Sequence, residues 1–470
     1  MGKHRISKVD KSGFFPRRYH LRGLGLFLIL LMIGAVFSPE REGNASTLET
    51  LDARLSERFS LGDLIAYAYR NNPAITGARE GWRETVERYR LETAYPDPEL
   101  MVTYFPEPIE TRLGPQDWNA TFSQKIPFPG KLTKAGEVVE TEAKIAKFKL
   151  DKTVRDIIVS IRESFYELLY IRQAQTVADQ NMKLLDHLRT VAETAYAQDR
   201  NTLQDMIKAQ SQSGQLRYDI LLLKDLEETE ATQLNTLLNR PPGAPLGSLS
   251  APNAANVVFT LKEIYRLAET RQEEIQIAGV KVERAQKKME LARLQNLPDF
   301  KVGLFYAGIG NPDVASPPPD QGQDAMGIQA GVNIPLWFGK NKSRILRAKA
   351  AIKKAEAAKT AQVNTAIAAI RSLYFKLVNA RRLMDLYSND LLPQAAKSIE
   401  LAETLFQEGQ SSFSDFVETQ AVLYNFQLAL ARARADYGKY LARLEGAVGQ
   451  SITMRVDGRD RGKTGEKEEK

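Results

Sequence analysis

Two carboxylates stand three residues apart in the last quarter of the sequence, at Asp415 and Glu418. If this stretch is helical, a spacing of three places both side chains on one face. Carboxylates gathered on one face attract cations and repel anions, so one interpretation is a site that binds or filters cations. The alternative is a pair of ordinary solvated surface acids. The choice depends on where the surrounding elements place them.

No other group of side chains indicates catalysis or metal binding. The sequence has no Cys, which excludes disulfides and thiolate metal sites, and of its three His two lie at the N-terminus and one stands alone at His187. Nothing resembles a nucleophile with its base, so we predict that the protein is not an enzyme and has neither a metal site nor a cofactor. No basic stripe interleaved with aromatic residues is present, so nucleic acid is not a predicted partner.

The stretch around Asp415 occurs twice in the chain. Residues 192–210 match residues 402–420 at a constant shift of 210, which aligns Asp205 with Asp415 and Lys208 with Glu418. Further upstream the repeat continues with small changes of shift. We therefore predict two structural repeats, residues 46–249 and 250–450, followed by a disordered tail at 451–470.

Each repeat is predicted to contain a long helical hairpin. Residues 137–213 include no Gly or Pro and are dominated by good helix formers, which predicts one very long helix or two in tandem. A polar break at Asp199, Arg200 and Asn201 predicts a turn, and the second repeat has Gly409 at the same place, flanked by Glu408 and Gln410. Apolar residues at heptad spacing from 416 to 447 predict coiled-coil packing of the second hairpin.

Short strands with alternating polarity lie between the helices at matching places in both repeats. They are predicted near 100–105 and 118–124, and near 301–307 and 326–334. One interpretation is a soluble sheet with one face on a core; the other is a set of membrane-crossing strands. The second is favoured because no other part of the chain offers a core for them to cover.

Four strands cannot close a barrel in lipid, where open edges leave backbone groups unpaired. Two copies would give an eight-stranded barrel filled by its own side chains, whereas three give a 12-stranded barrel with a water-filled bore. The predicted fold is mainly α with a small membrane β part. It has two tandem repeats of long helical hairpins plus four strands, and a trimer forms a 12-stranded β-barrel on an α-helical barrel.

The N-terminal segment, residues 1–45, has the features of a signal peptide. A basic stretch is followed by an apolar core at 23–37, and small residues precede a possible cleavage after Ala45. The alternative is a single N-terminal anchor helix.

The chain resembles the TolC family of outer membrane efflux proteins. The order of helix, two strands and long hairpin, repeated once between residues 59 and 450, carries the resemblance, and the stretch Ile126–Lys131 is similar to the version found in the cation and heavy-metal branch. The resemblance implies a homotrimer in outer membrane lipid with a periplasmic extension. It also implies docking to a periplasmic adaptor and an inner membrane pump, of the RND type, so that solutes delivered by the pump leave passively.

The resemblance also implies roles for the acids and the turns. Asp415, Glu418 and Asp205 are expected at the channel constriction, and the adaptor is expected to contact the hairpin tips at Asp199, Arg200, Asn201, Glu408, Gly409 and Gln410. The basic residue that usually ties the closed hairpins near the second turn is absent here, and Lys208 could supply the missing cation. The alternative function is a periplasmic coiled-coil adaptor or scaffold. Ile126–Lys131 is the one indication of a metal cation as the solute.

Overall fold

The computed structural model describes residues 40–197, 203–252, 255–313, 315–316, 318–408 and 410–453. The chain divides into two compact units, residues 1–47 and 48–470. Of the first unit only the backbone of residues 40–47 is described, and it is helical. Most of the predicted signal peptide and the turn residues Asp199, Arg200, Asn201 and Gly409 lie outside the described residues.

The described residues are mostly helical, with a small sheet, which confirms the predicted fold class at this level. In the first half the elements are α1 (Glu40–Glu57), β1 (Arg58–Phe59), α2 (Leu61–Asn71), α3 (Pro73–Thr93), β2 (Glu99–Thr111), β3 (Gly114–Ile126), α4 (Lys131–Ala197), α5 (Leu203–Leu238) and β4 (Ser248–Leu249). In the second half they are α6 (Leu261–Arg271), α7 (Glu273–Leu294), β5 (Phe300–Ile309), β6 (Ala325–Val332), α8 (Phe338–Leu386), a π-helical turn (Tyr387–Leu391), α9 (Leu392–Gln407) and α10 (Phe413–Val448).

The same capping chemistry starts the corresponding short helix of each half. Ser60 and Asp63 form a reciprocal capping box at the start of α2, and Thr260 and Glu263 form one at the start of α6. Each box satisfies two backbone groups that a helix start would otherwise leave unpaired. The starts of α2 and α6, which are 200 residues apart, therefore correspond in structure as well as in sequence.

The predicted long helix is a single helix of 67 residues, α4, and its partner α5 ends at Leu238. The helical stretch before the second turn is interrupted by the π-helical turn Tyr387–Leu391, which ends two residues before Pro393. Proline has no backbone N–H to donate, so a local change in hydrogen bonding is expected there. Among the helices of the described part, none has a stretch long and apolar enough to cross a bilayer.

The strands form one antiparallel sheet in the order β2-β3-β5-β6. The first pair is longer than predicted, because β2 continues through Pro106 and Pro108 to Thr111, where the sequence suggested an end near residue 105. Proline interrupts a strand only where its missing N–H would have donated to a neighbour. β2 pairs on one side only, and its register shifts between Tyr104 and Ile109, so the two prolines are accommodated.

Helix α10 joins the two halves of the chain. It packs against α8 and α9 of its own half and against α4 of the first half, where Glu445 pairs with Arg162 and Glu167 pairs with Arg432. The predicted heptad residues Phe416 and Leu444 are fully buried, but so are residues on other faces of α10, such as Ala442. The helix is thus enclosed on several sides rather than along one stripe.

Order extends slightly beyond the predicted boundary at residue 450. Ile452 is fully buried in the apolar cluster of the second half, and Thr453 pairs with Val257. Residues 451–453 of the predicted disordered tail therefore belong to the fold, and residues 454–470 lie outside the described part.

Candidate functional site

The aligned acids of the two repeats occupy equivalent backbone positions. Asp415 is the third residue of α10, which begins at Phe413, and Asp205 is the third residue of the described part of α5. Acidic residues are favoured there because the first turn leaves backbone N–H groups unpaired and carries the positive end of the helix dipole. The position alone thus gives Asp415 a structural role.

Asp415 fulfils that role in α10. Its amide donates to Ser412 Oγ at 3.1 Å, and its carboxylate accepts from the Ser412 amide at 3.2 Å, which completes a capping box. The Ser412 hydroxyl and amide hold the pKa of Asp415 below its usual range, and the nearby charge of Lys208 acts in the same direction. Asp415 is therefore an exposed, charged carboxylate with a fixed orientation.

Lys208 connects the two hairpins beside this cap. Its ammonium group donates to Ser414 Oγ at 2.8 Å, a contact between residues 206 positions apart. The first turns of α5 and α10 border a groove whose lining includes Lys208, Ser414 and Glu418. Glu418 is exposed and makes no ion pair with any described residue. The structure thus brings Lys208, Asp415 and Glu418 to one place, and the side chain of Asp205 lies outside the described residues.

An apolar cluster holds the hairpins together directly behind the groove. Phe413, Phe416 and Val417 of α10 are buried against Leu185 of α4 and Leu216 of α5. Gln420, also buried, donates to Asn181 of α4. The tip residues Glu408 and Gln410 are exposed at the end of this region.

The stretch Ile126–Lys131 joins the two repeats at the other end of the helices. Lys131 Nζ lies 2.7 Å from Asp299 Oδ1 and donates at 2.7 Å to the carbonyl oxygen of Leu297. The Phe128 amide donates to the same Asp299 oxygen at 3.0 Å, and the Phe128 and Phe300 rings stack. We call this set, Phe128, Lys131 and Asp299, the connector clasp.

The clasp keeps Asp299 ionised. Burial by itself would raise the pKa of Asp299, but the Lys131 ammonium, the Phe128 amide and the charge of Lys125 outweigh it, so that the pKa is lowered. Contacts within the fold thus give Phe128 and Lys131 a structural role. A metal cation as the transported solute stays a prediction.

The sheet has one apolar face. The register places Leu100, Phe122, Leu304 and Ile328 side by side across the four strands. All four are exposed, from 49% for Phe122 to 86% for Ile328. The opposite face carries a polar row, Glu99, Ser123, Gly303 and Gln329. An exposed apolar band of this kind marks a surface that meets lipid or a partner.

Within the described residues no group of three or more His, Cys, Asp or Glu side chains is placed to hold a metal ion. The features described so far are a charged rim at the helix starts and an apolar face on the sheet.

Comparison with known families agrees with this geometry. Residues 264–450 match the family model described as outer membrane efflux protein. The segment includes α7, the second strand pair and the whole second hairpin, with both Asp415 and Glu418. Outer membrane efflux proteins are channels and not enzymes, and the resemblance drawn from the sequence is confirmed.

Solved structures extend the likeness from the efflux protein domain to both halves of the chain. The outer membrane protein VceC of Vibrio cholerae has a TM-score of 0.68 and 18% identity, over 83% of this chain and 96% of VceC. The CmeC outer membrane channel of Campylobacter jejuni has a TM-score of 0.69 and 13% identity, over 84% of this chain and 86% of CmeC. The MtrE outer membrane channel of Neisseria gonorrhoeae, in its open state, has a TM-score of 0.67 and 16% identity, over 84% of this chain and 89% of MtrE.

At these identities the likeness establishes the fold. By sequence alone, no curated protein matches significantly.

Sequence reasoning missed two contacts around the efflux protein domain. Asp299 was not singled out, although a Pro-Asp pair precedes a strand in both repeats, at Asp97 and at Asp299. The capping role of Asp415 was also missed, although Ser412 three residues earlier is the usual signal for a capping box.

Proposed function

We propose that the protein is the outer membrane channel of a tripartite efflux system. It passively exports solutes that an inner membrane pump delivers through a periplasmic adaptor. The barrel lies in the outer membrane, and the helices extend into the periplasm.

The observation that carries this proposal is the apolar face of the sheet. Its residues lie in rows across four strands, alternate with polar residues, and are not covered by any described residue. A soluble protein would place such a face on its core, whereas lipid is the solvent in which it is stable. The long helices, which have no such band, suit the periplasm.

Three copies complete the structure. β2 and β6 are edge strands, each with one neighbour in the chain. Open edges are not tolerated in lipid, so β6 of one copy pairs with β2 of the next, and three copies give a 12-stranded barrel. The hairpins of the three copies then surround a helical tunnel.

The constriction lies at the helix starts described above. Asp415 and Glu418 are exposed, point away from the apolar cluster and recur in each copy, which creates a ring of carboxylates that attracts cations. We expect Asp205 at the same level, because the repeat aligns it with Asp415. The bond from Lys208 to Ser414 ties the first hairpin to the second and takes the place of the missing basic residue at the second turn.

Opening is a population shift in which these ties are released. The adaptor engages the hairpin tips, at Asp199, Arg200, Asn201, Glu408, Gly409 and Gln410, and thereby favours the open arrangement. The pump, of the RND type, supplies the energy.

The test is conductance of the detergent-purified mature protein in a planar lipid bilayer. Small, stable, cation-selective steps are expected from the wild type. The double variant Asp415→Asn with Glu418→Gln is expected to lose cation selectivity while keeping the shape of the cap, because Asn can still accept from the Ser412 amide. A protein that never inserts and is washed from membranes by carbonate would refute the channel and favour the periplasmic adaptor.

A further inference from the structure

The connector clasp joins two neighbouring elements of the sheet that come from different repeats. Lys131 follows β3, Asp299 precedes β5, and these two strands pair with Ile126 opposite Phe300. The clasp therefore lies at the periplasmic ends of two adjacent strands and holds the helices that continue from them.

The internal repeat supplies both halves of a second clasp. Lys340 follows β6 after an Ile-Pro pair and a Gly, as Lys131 follows β3, and Asp97 follows a Pro and precedes β2, as Asp299 precedes β5. Lys340 and Asp97 belong to the two opposite edges of the sheet. Both side chains are exposed, and neither forms a hydrogen bond or ion pair with a described residue.

We propose that Lys340 of one copy binds Asp97 of the next copy and forms the same clasp between chains. The contact requires the shared barrel proposed above and specifies how its edges join. In the repeat, β6 corresponds to β3 and β2 corresponds to β5. If β6 and β2 of neighbouring copies pair in the register of β3 and β5, Val332 lies opposite Leu100 of the next copy and Ala330 lies opposite Val102. Each of these pairs stays on the apolar face, whereas a slip of one residue would turn one edge over.

The helices that continue from the sheet form a layer whose outermost members lie at the same two edges as β2 and β6. In this layer α4 contacts α3 and α7, and α7 contacts α4 and α8, so α3 and α8 are left with a free side. The contact between α4 and α7 is ionic, with Glu137 and Lys287 2.9 Å apart and Lys134 and Glu290 2.8 Å apart.

The two free helix edges carry complementary charge. On the side of Lys340, the first turns of α8 expose three basic side chains at a spacing of seven residues that form no ion pair within the described residues: Lys340, Arg347 and Lys354. α3 exposes three carboxylates that are equally unpaired: Glu84, Glu87 and Glu92. Of its arginines, Arg83 and Arg88 pair with acids of their own chain and Arg79 lies over the Tyr69 ring. Arg90 is exposed, so the carboxylates of α3 remain in excess. A second copy of this chain is thus the partner whose charge fits.

Charge reversal tests the contact. Lys340→Glu and Asp97→Lys each place like charges together, and the double variant restores an opposite pair. Three equal contacts are lost in each single variant, so we expect the trimer in detergent to dissociate about tenfold faster or more. The double variant is expected to return to within about threefold of the wild type.

Two features make the test selective. Lys340 lies in the first turn of α8, where an acidic residue is favourable to the helix, so Lys340→Glu leaves the chain itself intact. Lys342→Glu is the matched control, since Lys342 is equally exposed but lies about 200° further round the helix. Its trimer is expected to dissociate at the wild-type rate.

Crosslinking gives an independent readout, because the protein has no background Cys. With Asp97→Cys and Lys340→Cys in one chain, a short bifunctional thiol reagent is expected to join copies into dimers and trimers. With Lys131→Cys and Asp299→Cys, the same reagent is expected to act within one chain.

The outcomes separate the clasp from the channel. A wild-type trimer that conducts, with unchanged dissociation in both reversals and no crosslinks between copies, would overturn the clasp and leave the channel standing. A wild-type protein that is monomeric and does not conduct would overturn the shared barrel, and the clasp with it.

Discussion

Replacing Asp299 by Asn removes the charge of the connector clasp and keeps its shape. The side chains of Asp299 and Lys131 are each 12% exposed, so the pair is partly withdrawn from water. A hydrogen bond between charged groups contributes about 1.5–3 kcal/mol. Lys125, 3.5 Å away and 53% exposed, adds less than about 1 kcal/mol because water screens it. The variant is therefore expected to lose about 2–3 kcal/mol of local stability.

The Phe128 amide reports this loss directly, since it donates to Asp299 Oδ1 at 3.0 Å. A loss of about 2–3 kcal/mol corresponds to exchange with deuterium that is about 30- to 150-fold faster, which mass spectrometry of the peptide spanning residues 126–134 would detect. Asp390→Asn, at an exposed carboxylate in the π-helical turn, is the control and should leave this peptide unchanged. An increase below about threefold in Asp299→Asn would refute the energetic role of the clasp.

The same clasp predicts a dependence on pH. Because the pKa of Asp299 is lower in the folded protein, its contribution is fully present above the usual Asp value of about 3.9 and is lost as the pH falls through the folded value. Protection of the 126–134 peptide should therefore decline on acidification in the wild type. It should stay flat in Asp299→Asn, and equal slopes would contradict the assignment.

Four further substitutions test other positions in the fold. Gly438→Ala would bring a Cβ into overlap with three atoms of the Tyr166 ring, so a loss of about 1–3 kcal/mol of stability is expected by thermal circular dichroism. Gly214→Ala, which meets nothing within 4 Å, should instead stabilise its helix slightly. Ser412→Ala removes the cap of α10, so the first amides of this helix should exchange with deuterium faster. Because the pKa of Asp415 is lowered in the folded protein, its carboxylate is protonated only at acidic pH, and there the exchange rate of the wild type should approach that of the variant. Lys208→Met breaks the bond to Ser414 and should raise the open probability in bilayers, whereas no change there would rule out this tie.

The hairpins and the alternating strands could be predicted because each depends on local sequence. Freedom from Gly and Pro over residues 137–213 is sufficient for a helix, and alternation around Trp118 and Met326 is sufficient for strands with two different faces. The full length of β2 could not be predicted, because Pro106 ends a central strand but is harmless on an edge, and edge position is a property of the whole sheet.

The site was predicted less completely. Its position followed from the repeat, which aligned Asp205 with Asp415. The contact of Lys208 with Ser414 depends on how two helices 206 residues apart in sequence approach each other, which no local pattern encodes. The connector clasp was missed for the same reason, since Asp299 lies 168 residues from its lysine.

The position of α10 has a consequence for the order of folding. α4 and α10 are paired through Arg162 and Glu445, which are separated by 283 residues. The side of α4 that meets α10 has no partner until nearly the whole chain has been made, and contacts of such long separation form slowly. A chain that stops short of residue 413 would leave an apolar stripe of α4 in water. Proteases that remove incomplete chains would therefore recognise the exposed side of α4, which is far in sequence from the point where synthesis stopped.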